Sequence, residues 1–549
     1  MFHKNITVKK PANSVVYPRN NYVYFNCEKI YIKEKKHNQN KRVLIGKMID
    51  DEFMIPNDNA RIYFPEWFEN EKSPEMSDTI SIGNTMVIDR IMNESGLSSL
   101  LDSIFDDDSS LIKDVMQYMI IGETTAIQHF PSFMRRIPVF SKQIYSDSSI
   151  GRLLKDRIKF RDTDLFLKSW NNMHKGDAIY ISYDSTNMNT YSEGIEIAEL
   201  GHAKDDDEVP IVNMSYSIDQ KNGTPLFYET YMGSIIDNSQ LTYMVDRAKE
   251  YGYENIGLIL DRGYFSARNI RYIEKKGYDL IMMVKTNQKK ISELITRHRL
   301  SIANQIDAYI EKYEIYGKTV KAKLYDDEKE YYVHIYYDGE KANEQRSMLL
   351  NSYAKLEKDL EKRISKTKLN RKEDMKRFEK GFRMYYDDSG YLRKYTKLKE
   401  KIQKEVDMMG YFAIVTTQEM GAGEALETYR DRDTVEKLFR SLKSELDFNK
   451  FRVHGDASME SKIFITFLAN IVRNEVFTKT KEIRRKNKKD YTVPGIIHEM
   501  NKIEITRDSR NEYVRRYGLS RKQKEILKQF GITDEDVKNY VKEINEKMK

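Results

Sequence analysis

The sequence predicts an α/β protein built around a mixed sheet, and three observations carry that prediction. Between residues 173 and 285 short apolar runs alternate with amphipathic helical stretches. Two of those runs end on an aspartate, at Asp184 and Asp261. Hydrophobic residues make up 40% and charged residues 33% of the chain, the balance of a globular domain rather than of a disordered or fibrous one.

A chain of 549 residues is long enough for several structural units with at least one sizeable core. With 10 prolines and no Gly/Ser linker, the boundaries are read from changes of hydrophobic period. Residues 1–75 carry short strand-like runs, Tyr22 to Phe25, Lys29 to Ile32 and Arg42 to Ile45, and are expected to be a small β unit. Residues 76–172 turn helical, with Leu97, Leu100, Leu101, Ile104 and Phe105 on one stripe and Val115, Tyr118 and Met119 on the next. The sheet domain is expected over 173–285 and again over 410–475. Its strands are Ala178 to Tyr183, a hairpin of Ile211 to Ile218 with Leu226 to Tyr231 turning through Asn222-Gly223, then Ile256 to Leu260, Leu280 to Val284 and Tyr411 to Val415. Helices are expected at Leu241 to Tyr251, Ala267 to Lys276 and Thr434 to Leu446. Residues 286–409, with a strand-like Tyr331 to Tyr337 and a long charged helix around Tyr353, Leu356, Leu360 and Ile364, interrupt this pattern and read as an α+β insertion. Residues 476–549 form a basic helical C-terminal region.

Several chemistries are excluded early. No run approaches the ~18 apolar residues of a membrane span, and no signal-peptide pattern opens the chain, so a cytoplasmic protein with no membrane partner is expected. The one cysteine, Cys27, rules out an internal disulfide and a cysteine-based zinc cluster, and is expected to be a small buried hydrophobe. Nine histidines show no paired metal-binding spacing. Gly317-Lys318-Thr319 superficially resembles the end of a phosphate-binding P-loop, but position 312 is Lys where the motif needs Gly.

Charge points towards nucleic acid. The net charge is +7, and from Phe451 to the end 23 Lys and Arg face 15 Asp and Glu, so this last part holds the whole excess. The run Lys481, Arg484, Arg485, Lys486, Lys488 and Lys489 can neutralise several phosphates, although a solvated lysine-rich face would look the same.

The chemistry is carried by three acids. Asp184 and Asp261 each follow a strand that reads as buried, and the carboxyl edge of an α/β sheet is where ligands bind. Either one alone could be a helix-capping or loop-starting residue; two in one sheet are a candidate site. The third is Glu436, on a helix whose apolar stripe is Val435, Leu438, Phe439, Leu442 and Leu446. Glu436, Arg440 and Lys443 share the face beside that stripe, with Lys443 roughly 10 Å along the axis from Glu436. The same helix read in isolation is a surface helix with an Arg432–Glu436 ion pair of under about 1 kcal/mol. Three carboxylates gathered at neutral pH need cations between them, and hard oxygen ligands suit Mg2+ or Mn2+. Two such ions about 3.5–4 Å apart support in-line displacement at phosphorus.

Tyr429, Arg432, Glu436 and Lys443 reproduce the spacing Y-x2-R-x3-E-x6-K. Together with an upstream strand-Asp and the strand-Asp-Arg-Gly at 261–263, this resembles the bacterial insertion-sequence DDE transposases of the YREK type. The resemblance spans roughly Gly176 to Phe467 and implies a ribonuclease-H-like core, with the separation of 175 from Asp261 to Glu436 holding the insertion. It implies that Asp184, Asp261 and Glu436 ligate two Mg2+ or Mn2+ ions, and that Tyr429, Arg432 and Lys443 grip phosphates near the cleaved end. It further implies double-stranded DNA as partner, both terminal inverted repeats and target, a homodimer in the DNA-bound complex, and a place at the bacterial nucleoid. End recognition falls to the N-terminal third and nonspecific backbone contact to the basic C-terminal region, where Leu519 to Ile532 also looks similar to the family. One departure stands out: relatives that cut through a DNA hairpin stack a flipped base on tryptophan, whereas Trp67 and Trp170, the two tryptophans here, both precede the core. A platform would have to be Tyr or Phe, near Tyr385 or Tyr391. Two other readings share these residues: a nuclease-only or domesticated relative with the same core, and a non-catalytic DNA-binding protein whose acids are structural.

Overall fold

A computed structural model of the chain describes residues 2, 3, 6–32, 37–68, 76–176, 180–201, 208–325, 329–364, 373–432, 439, 443, 446, 448, 450–487 and 491–547. Five strands open it: β1 (Val8–Lys9), β2 (Ser14–Tyr17), β3 (Tyr22–Ile32), β4 (His37–Met48) and β5 (Phe53–Pro56). They form an antiparallel sheet in the order β1-β5-β4-β3-β2, over a small core of Val23, Ile45, Met54 and Phe68. The two runs at Tyr22 and Lys29 are one strand. Register shifts at Val23/Tyr24 and between Asn26 and Glu28 let the pairing with β4 continue through the polar residues between them. Cys27 is half-exposed rather than buried, and its thiol donates to the Lys41 carbonyl at 3.3 Å.

After β6 (Thr79–Ser81) come helices Gly83–Glu94, Leu97–Phe105, Ser109–Gly122 and Phe160–His174. Their apolar faces converge on the helix Asp456–Lys479, of which 15 of 24 residues are buried, so it is enclosed nearly all round. Phe464 on this helix meets Phe105 and Phe166 of the N-terminal helices, while Phe467 meets Tyr216 and Tyr228 of the central sheet. It is therefore the wall shared by both units. Trp170 ties them a second time: 1% exposed, it donates its indole N–H to the Pro225 carbonyl at 2.8 Å.

The central sheet comprises β7 (Tyr180–Asn189), β8 (Ile211–Asp219), β9 (Pro225–Met232), β10 (Gly257–Leu260), β11 (Asp279–Val284), β12 (Tyr309–Ile310), β13 (Ile315–Lys323), β14 (Glu330–Tyr337) and β17 (Tyr411–Thr416). Its order is β12-β13-β14-β17-β11-β10-β7-β8-β9. β7, β8 and β9 run antiparallel, and β10 and β11 run parallel to β7. That five-strand half is the ribonuclease-H-like arrangement, with helices Asp237–Glu250 and Ala267–Lys275 in the crossovers between its later strands. Fully buried β10, of sequence GLIL, is a continuous apolar run because helices cover both faces of a parallel strand.

Two departures from the sequence-based expectations concern this sheet. Strand β7 does not stop at Tyr183 but runs to Asn189, so Asp184 lies within it, and Ala178 falls outside the described residues. The run Tyr331 to Tyr337 belongs to β14, which pairs with β17 inside the central sheet instead of standing apart from it. A separate core is found further on, where helix Gly339–Arg363, the hairpin of β15 (Phe382–Tyr386) with β16 (Leu392–Lys397) and helix Lys399–Asp407 pack around Tyr353, Leu360, Phe378 and Phe382. Near the C-terminus β18 (Glu504–Arg507) pairs with β19 (Tyr513–Arg515) and, across more than 400 residues, with β6. No helix among the described residues is long and apolar enough to cross a membrane.

Two buried acids make the fold sensitive to pH. Burial pushes the carboxyls of Asp114 and Glu229 up to about 7, outweighing the hydrogen bonds that Asp114 accepts from the Phe140 and Ser141 amides and the pull of Arg247 on Glu229. A raised acid binds its proton more tightly folded than unfolded, so its contribution is full at low pH and is lost as pH rises towards 7. Glu229→Gln is expected to flatten the decline in stability between about pH 4.5 and pH 7, followed by urea denaturation across that range. Trp170→Ala is expected to cost about 3–5 kcal/mol in the same measurement, through the cavity and the lost anchor to β9.

Candidate active site

Two neighbouring strands bring the first two acids together through their register. Gly257 pairs with Tyr180, Leu258 with Ile181 and Ile259 with Ser182. Continuing that parallel register past Leu260 sets Asp261 beside Asp184, one strand spacing of about 4.8 Å away. Paired residues in a parallel ladder project to the same face, so both carboxylates share the face of Ile259. Asp261 is also the last extended residue before the turn Arg262–Tyr264. β10 ends there while β7 continues, and the sheet opens a step at the two acids.

The same face is covered by helix Ala422–Arg430, which buries Ala425, Leu426 and Tyr429 against Ile259, Ile281, Ile414 and Tyr336. Its C-terminal end delivers the next residues to the step. The Tyr429 hydroxyl donates to Asp261 Oδ1 at 3.3 Å. Arg432, 9% exposed, sets Nη1 at 3.6 Å from Asp261 Oδ1 and 4.0 Å from Asp184 Oδ2, with its guanidinium 5.3 Å from the centre of the Tyr429 ring. Asp184 Oδ1 accepts from the Ser185 amide at 2.8 Å. Four of the six residues singled out in the sequence, Asp184, Asp261, Tyr429 and Arg432, therefore meet in one place.

The remaining two are placed differently. Glu436 lies outside the described residues, as does most of the expected helix Thr434 to Leu446. Phe439 and Leu446 of that stretch are buried, and Lys443 is half-buried. Phe439 packs edge-on against Tyr216 at 5.8 Å, and Tyr216 is the cross-strand partner of Asp184. The chain three residues beyond Glu436 thus reaches the position on β8 that pairs with Asp184. Among the described residues, no group of three His, Cys, Asp or Glu side chains stands close enough to hold a metal.

Behind the acids lies a set of supports that sequence reasoning missed. The Tyr264 hydroxyl donates to Ser185 Oγ at 3.0 Å, and its ring lies 5.4 Å from that of Tyr183. Asn238 Nδ2 donates to the Gly263 carbonyl at 2.9 Å and Asn269 Nδ2 to the Tyr264 carbonyl at 3.0 Å. Together these pin the turn after Asp261 to β7. Gln220 accepts from Ser182 Oγ and donates to the Thr428 carbonyl at 2.6 Å, fixing the helix that carries Tyr429. Tyr264, directly after the Asp-Arg-Gly block, and Tyr183 and Ser185, on either side of Asp184, are the members of this layer that stand beside the acids in the sequence; Gln220, Asn238 and Asn269 come from elsewhere in the chain.

As a donor set the step suits a hard divalent cation. Two carboxylates drawn to one guanidinium mark a place where positive charge is already needed, and oxygen donors of this kind match Mg2+ or Mn2+.

Comparison with known proteins adds the lineage. A cryo-electron microscopy structure of the piggyBac transposase synaptic complex with hairpin DNA aligns with 84% of this chain and 75% of its own, at 8% identity and a TM-score of 0.30. No curated protein matches the sequence. Residues 176–471, more than half of the chain and the whole of the acid step, match the model of the transposase DDE domain, and the protein belongs to that family of DDE transposases.

Proposed function

We propose that this protein cleaves the ends of a transposon and joins them to target DNA by metal-dependent phosphoryl transfer, as a bacterial insertion-sequence transposase of the YREK type. The observation that carries the reading is the in-register juxtaposition of Asp184 and Asp261 at the carboxyl edge of β10, with Arg432 between them. Asp184, Asp261 and Glu436 would hold two Mg2+ or Mn2+ ions. Such ions supply charge neutralisation at phosphorus and an activated hydroxyl.

The chain's own residues do the rest. Tyr264, Ser185 and the Asn238 and Asn269 amides hold the two strands so that the carboxylates do not splay. Arg432 offsets part of the charge of the aspartate pair, and a guanidinium fork at that place is well shaped for a phosphate oxygen. Tyr429 orients Asp261 through its hydroxyl and shields one side of the step from water. Lys443 supplies a further point charge for the backbone of the bound end. The partners are double-stranded DNA, as inverted repeats and target, held by a homodimer in the DNA-bound complex. Tyr385, 45% exposed on β15, and Tyr391 are the aromatic candidates for a base-stacking platform, since Trp67 stacks on Phe64 and Trp170 is buried.

Single replacements Asp184→Ala, Asp261→Ala and Glu436→Ala are each expected to abolish Mg2+-dependent cleavage and strand transfer of transposon-end DNA while duplex binding persists. Full cleavage by any of the three would defeat the assignment, and cleavage without joining would instead favour a nuclease-only relative. Arg432→Gln leaves two carboxylates facing each other and is expected to cost about 1–3 kcal/mol in EDTA. Thermal melts should then show a larger rise on adding Mg2+ for this variant than for the wild type; equal rises would mean that Arg432 does not offset the charge of the pair.

A further inference from the structure

Beyond the acid step the chain returns to the strand that carries Asp184. Asn189, the last residue of β7, pairs with Ile211 of β8 on one edge and with Lys450, in the parallel sense, on the other. That second edge is the one β10 leaves after Ser182. Lys450 therefore lies on the edge of β7 onto which the acids open, further along the strand, and residues 451–454 run on past its end. The two stretches stay together from there. A Cβ at Gly194 would sit 2.3 Å from the His454 carbonyl oxygen, so only glycine permits this approach, and the Glu196 amide donates to Asp456 Oδ1 at 3.0 Å.

The segment turns through Arg452, whose φ of 49° is left-handed, and it is two-faced. Phe451 and Val453 turn inwards, 0% and 9% exposed, while Lys450, Arg452 and His454 turn out into solvent. Its backbone is held from beneath by Lys462, a fully buried lysine whose ammonium donates to the Phe451 carbonyl at 2.8 Å. On the outer side Tyr191 is 70% exposed, and the Lys450 ammonium lies 5.2 Å from the centre of its ring. The result is a braced ledge presenting two cations, an imidazole and an aromatic face. Asn189 is five steps along the strand from Asp184, about 16 Å, which is close to five base pairs of duplex at about 3.4 Å each.

We propose that Tyr191, Lys450, Arg452 and His454 form a backbone track for duplex DNA, gripping phosphates about five base pairs from the bond positioned at Asp184 and Asp261. This rests on the reading that the acid step acts on DNA. Exposed cations and a phenol gathered on one ledge suit a polyanionic strand, where backbone contacts position the duplex without reading its sequence. A base edge is not needed for this role, so the track would serve any sequence.

The test uses the full-length protein and a fluorescent double-stranded DNA of arbitrary sequence, titrated in EDTA at several NaCl concentrations. Lys450→Gln/Arg452→Gln is expected to make the slope of log affinity against log salt shallower by about two, since each lost phosphate contact removes about 0.9. Arg452→Lys, which keeps the charge, should retain the wild-type slope. Both positions are exposed, and an unchanged circular dichroism melt verifies that the variants fold. A wild-type slope in the double variant overturns the track while leaving the DNA-cleaving function intact. Failure of the wild type to bind duplex at all overturns both.

Discussion

The parallel register of β7 and β10 is the constraint on which the site depends. A parallel pair cannot be made by a tight turn; it needs a crossover, and here the chain makes the β8-β9 hairpin and helix Asp237–Glu250 before it returns as β10. The offset of that pairing, 257 against 180, equals the sequence separation of the two aspartates. Slipping the register by one residue would turn one carboxylate to the opposite face, where Leu258 and Leu260 sit in the core. The buried sides of β10 thus fix the geometry of a polar site that contributes little to stability itself. Burial of Ile259 on one face and of its neighbours on the other decides where Asp261 points.

What the sequence made visible and what it hid follow from the range of the interactions. β10, β11 and β17 were legible because buried parallel or central strands are uninterrupted apolar runs, bounded by turns. The far half of β7 was not, since Ser185, Thr186, Asn187 and Asn189 read as loop residues. They are buried all the same, in a ladder with β8 that satisfies their backbone and against side-chain partners such as Tyr264. β14 and β18 were misread or missed because their partners lie far off in the chain, and no local period encodes a pairing between Ile505 and Ile80. The acids Asp184 and Asp261 could be picked out by type and position. That Arg432 lies between them could not, because the resemblance pointed its guanidinium at phosphate and gave no reason to place it at a carboxylate pair.

Charge counted along the chain misleads in a similar way. Arg484 belongs to the basic C-terminal run, yet its guanidinium lies 3.7 Å from the centre of the Phe477 ring and donates to the Phe477 carbonyl at 2.6 Å, so it is folded back onto the end of the preceding helix, Asp456–Lys479. Lys462 and Arg473 are 0% and 2% exposed and bond backbone carbonyls. Conversely, residues 339–408 hold 20 Lys and Arg against 13 Asp and Glu, an excess that acidic stretches elsewhere conceal in the total. A sum of formal charges cannot separate a cation that braces a helix from one that faces water; burial and hydrogen bonding can.

Along the open rim of the sheet the signs alternate in a way that bears on how a polyanion would sit. Continuing the pairing of β10 with β11 sets Met283 beside Asp261, and exposed Lys285 follows two residues on, on the same face. Lys450 and Arg452 stand further along in the same direction, at the end of β7 and beyond it. Cations therefore follow the acid pair along the rim. A phosphate backbone laid along the rim gains attraction at these cations and meets two carboxylates beside them, where Arg432 offsets only part of their charge. The cations can hold the strand, but the phosphate over the acids is tolerated only with additional positive charge between them. Binding and bond cleavage are in this way separated in space on one edge, and the second depends on cations that the first does not need.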